Sequence, residues 1–295
     1  MELEETVKEI NTVARAQHVK MASSSEAGSQ LVKFKALPTH LQFNPYITSG
    51  YRRPLGTRDC MKSVCYTHNE SLNIYSHAFF VIFFLLSFIQ YVRVWQYNQN
   101  PVVSLFILID YFATTLPFGL SVLYHTFMCH SGGYPVYLVM LRIDIAGIWL
   151  LATFGELENI YVTLYFYSIL RTAGISLYVI FSILIFHNLM FNNNKKTRSL
   201  LFTFQFLLRV LVIIIRLSPY GCGQKHYYFI VLEICNSVGV VINALHIPER
   251  WLANVKMNYF LNGHTIMHFL IPFGIIFARQ GFLIDMEWLL EQSQS

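Results

Sequence analysis

Two histidines four residues apart, His264 and His268, lie in one apolar stretch of the chain, and a third, His125, closes another, with Ser121 four residues before it. Residues at i and i+4 stack on one face of a helix, so each pair points to a single side. Three imidazoles from two helices suit a tetrahedral zinc ion that keeps its fourth position for water. Asp144, early in a further apolar stretch, offers the carboxylate that would hold or deprotonate that water. Zinc brings the pKa of bound water to about 7, and a base within hydrogen-bond reach completes the arrangement for attack on a carbonyl. Ser121 is the group to hydrogen-bond the substrate oxygen or the water. The expected site is thus zinc on His125, His264 and His268, with Asp144 and Ser121 as the catalytic pair. Singly these signals are weak, since an HxxxH pair arises by chance in a chain with 11 histidines.

What joins them is depth in a membrane. With 55% hydrophobic and 13% charged residues among 295, and a mean hydropathy of +0.45, the chain does not describe a water-soluble globule. Apolar stretches of about 20 residues, the length that crosses a bilayer core, fall near 74–95, 102–127, 139–165, 172–191, 199–217, 226–246 and 262–283. The expected fold is an all-α seven-helix transmembrane bundle, with Glu156 and Glu158 interrupting the third span. Residues 1–73 read as a cytoplasmic segment, 74–283 as the membrane domain and 284–295 as a short tail on the other side. Within the first segment, Leu3, Val7, Ile10 and Ala14 share one side of a short helix, and Ser23 to Ser29 reads as a flexible linker. The start lacks the basic-then-apolar order of a signal peptide, so no cleavage is expected.

Basic flanks stay in the cytoplasm. A cytoplasmic N-terminus gathers nine lysines and arginines from residues 1–73, together with Lys195, Lys196, Arg198, Arg250 and Lys256, on one side. Arg93, Arg171, Arg216, Lys225 and Arg279 are left for the other. That topology puts His125, Asp144, His264 and His268 at similar depth, near the cytoplasmic face. It also turns the sequon Asn69-Glu70-Ser71 inward, where it goes unused, and is opposite to that of a G-protein-coupled receptor. His130, His187 and His246 read as interfacial. Five scattered cysteines form no disulfide framework and no Cys-type zinc site. The net charge of +5 sits at membrane edges, where anionic lipid headgroups account for it, and no nucleic-acid partner is implied.

Glu70, Asn73 and His77 share a helical face just before and within the first span and are expected to brace the inner mouth of the bundle. Thr67 followed by Glu70 also fits a capping box, the bland reading of that glutamate. His77 is a lesser candidate for the metal. Arg209 and Asp110 are buried charges whose partners the sequence does not name.

The motifs together resemble the progestin and adipoQ receptor family, related to haemolysin III proteins and more distantly to alkaline ceramidases. The resemblance rests on Asn44-Pro45-Tyr46-Ile47, Gly50-Tyr51-Arg52-Arg53-Pro54, the Glu70, Asn73, Ser76, His77 pattern and Ser121-x-x-x-His125 followed by Cys129-His130-Ser131. It continues through Asp144-x-x-Gly147-Ile148, Ile247-Pro248-Glu249-Arg250-Trp251 and His264-x-x-x-His268. It implies seven helices with the N-terminus inside, zinc on the three histidines with Asp144 contacting the metal-bound water, and a cavity open to lipid-like molecules. Ile145 stands where the family usually has tyrosine, and the stretch from His125 to Asp144 is about two residues longer than in adiponectin receptors. The leading expectation is a plasma-membrane receptor whose zinc site hydrolyses a lipid amide, ceramide being the substrate the resemblance suggests. The alternative is a non-enzymatic steroid- or adipokine-type receptor or scaffold in which zinc ties spans two and seven together. Candidate partners are a lipid or steroid-like molecule, an extracellular protein ligand and a second copy of the chain. A transporter is disfavoured by the absence of an inverted repeat or paired broken helices.

Overall fold

The computed structural model describes residues 31–96, 100–192, 194–252 and 255–294. The expected N-terminal helix and its linker lie outside them. The described chain opens with two short antiparallel strands, β1 (Leu31–Val32) and β2 (Tyr51–Arg52), and the helix α1 (Thr57–Ser63). The first membrane-length segment follows as α2 (Ser71–Leu86) and α3 (Ile89–Gln96). The others are α4 (Pro101–Phe127), α5 (Tyr134–Thr163), α6 (Ser168–Phe191), α7 (Lys195–Leu217), α8 (Tyr228–Leu245) and, after the short α9 (Val255–Tyr259), α10 (Gly263–Gln294). Seven of these segments are long and apolar enough to cross a bilayer.

Local chemistry sets the boundaries. Asn100 accepts from the Val102 N–H at 2.9 Å with Pro101 in the first turn of α4, and Asn194 accepts from the Lys196 and Thr197 N–H groups at the start of α7. Lipid-facing positions stay apolar, as at Ile169, Leu177, Leu200 and Leu211, all exposed on the protein's own surface. Two expectations change. Glu156 and Glu158 do not break the third span; both are buried within α5, where Glu156 accepts from Asn159 at 3.1 Å. The expected tail from 284 is helical through Gln294, because Asp285 is buried against Arg216, and Met286 and Leu289 pack with Tyr91, Val103 and Phe106. Glu287 and Glu291 take the exposed face of the same turns.

Several charges inside the bundle are paired with opposite charges, which lowers their cost in hydrocarbon. Arg209 donates to Glu233 at 2.8 Å. Asp110 accepts from Tyr91 and lies 3.6 Å from Arg279. Where α4 and α5 cross, a Cβ on Gly147 would meet the Pro117 Cα at 3.0 Å, so a larger residue would push the two helices apart by tenths of an ångström and glycine gives the closest approach. One turn from that crossing toward the end nearest residues 31–70, Pro117 gives way to Ser121 and Gly147 to Asp144.

Residues 31–70 form a fitted cover over that end of the bundle. Leu37, Leu41, Ile47, Tyr51 and Cys60 share a core with Tyr124, Met128 and Cys129. The Thr48 N–H donates to Asn258 at 3.0 Å. Glu249, buried, accepts from Asn44 at 3.0 Å and from the Gly263 N–H at 2.7 Å, which seats the first residue of α10. Glu249→Ala strands two buried donors and removes a carboxylate from a helix N-terminus. We expect it to cost about 2–3 kcal/mol, the scale of a hydrogen bond to a charged group, read as a lower unfolding midpoint in detergent; an unchanged midpoint would contradict this role.

Candidate metal centre

His125 is near the end of α4, and His264 and His268 occupy the first turns of α10. Their ligand atoms lie within 4.8 Å of one another. The Nε2 atoms of His264 and His125 are 3.4 Å apart, and those of His268 and His264 3.2 Å. His125 and His268 are buried, and His264 partly so.

The other nitrogen of each ring decides what these contacts are. His125 Nδ1 lies 2.8 Å from Glu70 Oε2, and an ionised carboxylate can only accept, so Nδ1 carries the proton. His264 Nδ1 meets Asn243 Oδ1 at 3.2 Å. His268 Nδ1 meets Ser76 Oγ at 3.5 Å, and since that hydroxyl donates to the Asn73 carbonyl at 3.1 Å, its free lone pair accepts from the ring. With every Nδ1 protonated, each neutral ring has its lone pair on Nε2, and three lone pairs face one another with no proton between them. A cation satisfies that arrangement, and three neutral imidazole nitrogens are a donor set for a transition metal. Among the described residues this is the group of histidines, cysteines and carboxylates placed to hold a metal ion.

The support around it is polar and buried. Glu70 accepts from Asn69 at 3.1 Å through Oε1 and from Asn73 at 2.8 Å through Oε2. Burial, the largest influence, pushes the Glu70 carboxyl upward, but the bond from His125, the charge interactions with His125 and His264 and the bond from Asn73 together hold it down at about 2. The Thr67 capping box is therefore not formed: Glu70 turns its carboxylate to the histidine, and Ser71 Oγ accepts from the His68 N–H at 2.9 Å instead. Asn69, the sequon asparagine, is buried in the same network. Thr265 donates to Asn73 at 2.8 Å, joining α10 to α2. Arg52 donates to the His125 carbonyl at 2.5 Å and the Thr126 carbonyl at 2.9 Å, closing the end of α4.

The expected residues therefore converge in part as ligands and in part as supports. Asp144 lies close enough to Ser121 and His125 to interact electrostatically with both. His77 stacks flat on His268, ring centres 3.6 Å apart and 13° from parallel, and receives the Phe118 edge. Neither His77 nitrogen has a protein partner, and the ring is outside the ligand group, so it buttresses His268. His130 is held by the Gly132 N–H at 3.0 Å and by Thr57 at 3.1 Å. Sequence reasoning missed Asn243: one asparagine in an apolar span carries no spacing signal. Arg52 and Glu249 stood in recognisable motifs, but nothing local told what they would cap.

A family model described as Haemolysin-III related matches residues 65–278. The chain is 31% identical over 264 residues to Progestin and adipoQ receptor family member 4 of Mus musculus, covering 88% of this chain and 95% of that protein. It is 26% identical over 264 residues to the Adiponectin receptor protein of Drosophila melanogaster, covering 83% and 57%. With Heptahelical transmembrane protein 1 of Arabidopsis thaliana it shares 26% over 289 residues, covering 88% and 82%.

Outer partners of metal-bound histidines typically contribute 10–100-fold to affinity. Glu70→Gln keeps the volume but removes the charge that fixes the His125 tautomer. We expect metal affinity to fall by about that 10–100-fold, measured by chelator competition, while the chain still folds; undiminished affinity would contradict the tautomer assignment.

Proposed function

Because the chain belongs to the progestin and adipoQ receptor family, among the haemolysin-III-related proteins, we propose that it is a receptor-type membrane protein whose three-histidine centre holds zinc and hydrolyses a lipid amide such as ceramide. The observation that carries the reading is the convergence of three Nε2 lone pairs beside a carboxylate, Asp144. The excess of basic residues around the N-terminal segment supports placing this end of the bundle at the cytoplasmic face, and the receptor reading goes with residence in the plasma membrane. The word receptor in the relatives' names supports a signalling role, with a lipid or steroid-like molecule, an extracellular protein or a second copy as partner.

Zinc at such a site would polarise the amide carbonyl and make water acidic enough to attack near neutral pH. The residues supply the rest. His125, His264 and His268 are held as neutral ligands by Glu70, Asn243 and Ser76, so no proton competes for their Nε2 atoms. Asp144 is the base: a carboxylate oxygen takes the proton from the attacking water and passes it to the amine nitrogen as the C–N bond breaks. Ser121, one turn before His125 on the same face of α4 and close to Asp144, is the hydroxyl we assign to donate to the substrate carbonyl oxygen.

The test is ceramide turnover by the purified protein and by Asp144→Asn. We expect the variant to keep its zinc and lose turnover by about 100-fold or more, the range of a general base. If the zinc-loaded wild type releases no fatty acid from ceramide or related lipid amides, the hydrolase reading fails and the metal is a tie between α4 and α10.

A further inference from the structure

At the cover over the metal end, two thiols meet. Cys60 lies in α1 and Cys129 just beyond the end of α4; both are buried in one core, close enough for their thiols to interact, and Cys60 donates to the Leu55 carbonyl at 3.6 Å. The backbones around them are pinned together: the Leu55 N–H donates to the Cys129 carbonyl at 3.0 Å and the Ser131 N–H to the Leu55 carbonyl at 2.7 Å. A cavity of about 20 Å³ reaches Cys129 between Tyr51, Arg52, Asn69, Glu70 and Met128. That volume admits a water or a molecule of hydrogen peroxide and little else. The interaction with Cys60 and the Arg52 guanidinium outweigh burial and bring the Cys129 thiol down to about 7, while the same interaction and burial push Cys60 up. The pair is therefore asymmetric, with one thiol ready to ionise and reached by a water-sized opening, and the other in reserve.

We propose that Cys60 and Cys129 are a peroxide-reactive dithiol that closes reversibly to a disulfide. The Cys129 thiolate attacks one oxygen of hydrogen peroxide; the O–O bond breaks, a sulfenic acid forms, and the departing hydroxide takes up a proton to leave as water. The Cys60 sulfur then attacks the sulfenic sulfur, the S–O bond breaks, a second water leaves with the Cys60 proton, and the S–S bond forms. Two thiols are oxidised and one peroxide is reduced to two waters. Closure would fasten α1 to the chain four residues beyond His125, beside the carbonyls that Arg52 holds.

The experiment treats the detergent-purified full chain with hydrogen peroxide, blocks remaining thiols with N-ethylmaleimide, and maps peptides without reduction. We expect a peptide joining Cys60 to Cys129, abolished by dithiothreitol and unaffected by Cys65→Ser. In Cys60→Ser, Cys129 should stop at a sulfenic acid that dimedone traps. Recovery of both residues as free thiols while the exposed Cys65 oxidises, or pairing of Cys129 with Cys65, would overturn the proposal.

Discussion

Glu70 cannot donate a hydrogen bond while ionised, and much of the metal end follows from that fact. Its carboxylate forces the proton of His125 onto Nδ1 and leaves the lone pair on Nε2, aimed at His264 and His268. The Ser76 and Asn243 contacts do the same for the other two rings. Three lone pairs with no proton among them repel one another, so a set of ordinary hydrogen bonds prepares a place that could hold a metal ion. Those bonds in turn need helices held in register. Gly147 lets α4 and α5 touch, Thr265 ties α10 to α2 through Asn73, Glu249 seats the start of α10, and Arg52 closes the end of α4. The cover formed by residues 31–70 provides Arg52 and Asn44 for this purpose, which makes it part of the centre's support.

The bilayer imposes the second constraint. An ionised group without a partner is costly in hydrocarbon, and the described spans carry several ionisable groups away from the metal end. Arg209 with Glu233, Arg216 with Asp285 and Arg279 with Asp110 are each paired within the bundle. These pairs link α7 to α8, α7 to α10 and α10 to α4, so they also fix which helices are neighbours. The last helix continues past its expected end because Arg216 gives Asp285 a place inside.

Much of this was legible in the sequence because it depends on period and length. Seven apolar stretches gave seven spans, and the i, i+4 spacing of His264 and His268 put both rings on one face whatever their surroundings. Bringing His125 and Asp144 to the same depth required only counting residues along antiparallel helices. Two misreadings share a cause: the capping box at Thr67 and Glu70 and the tail after residue 283 were local readings of charged residues whose partners lie far along the chain. Glu70 bonds a residue 55 positions away and Arg216 one 69 positions away. Asn243 was invisible for the same reason, since its meaning comes from a ring on another helix. The break at Glu156 and Glu158 was misread for another reason, since both are buried inside α5.

The claim on which the account rests is that the three imidazoles hold a metal ion. Elemental analysis of the detergent-purified protein, beside a His264→Ala, His268→Ala double variant, tests it most directly. The account predicts about one zinc per chain in the wild type and its loss in the variant, as three imidazole ligands with an open position require. A well-folded wild type that contains no metal and takes up none from added zinc would contradict it.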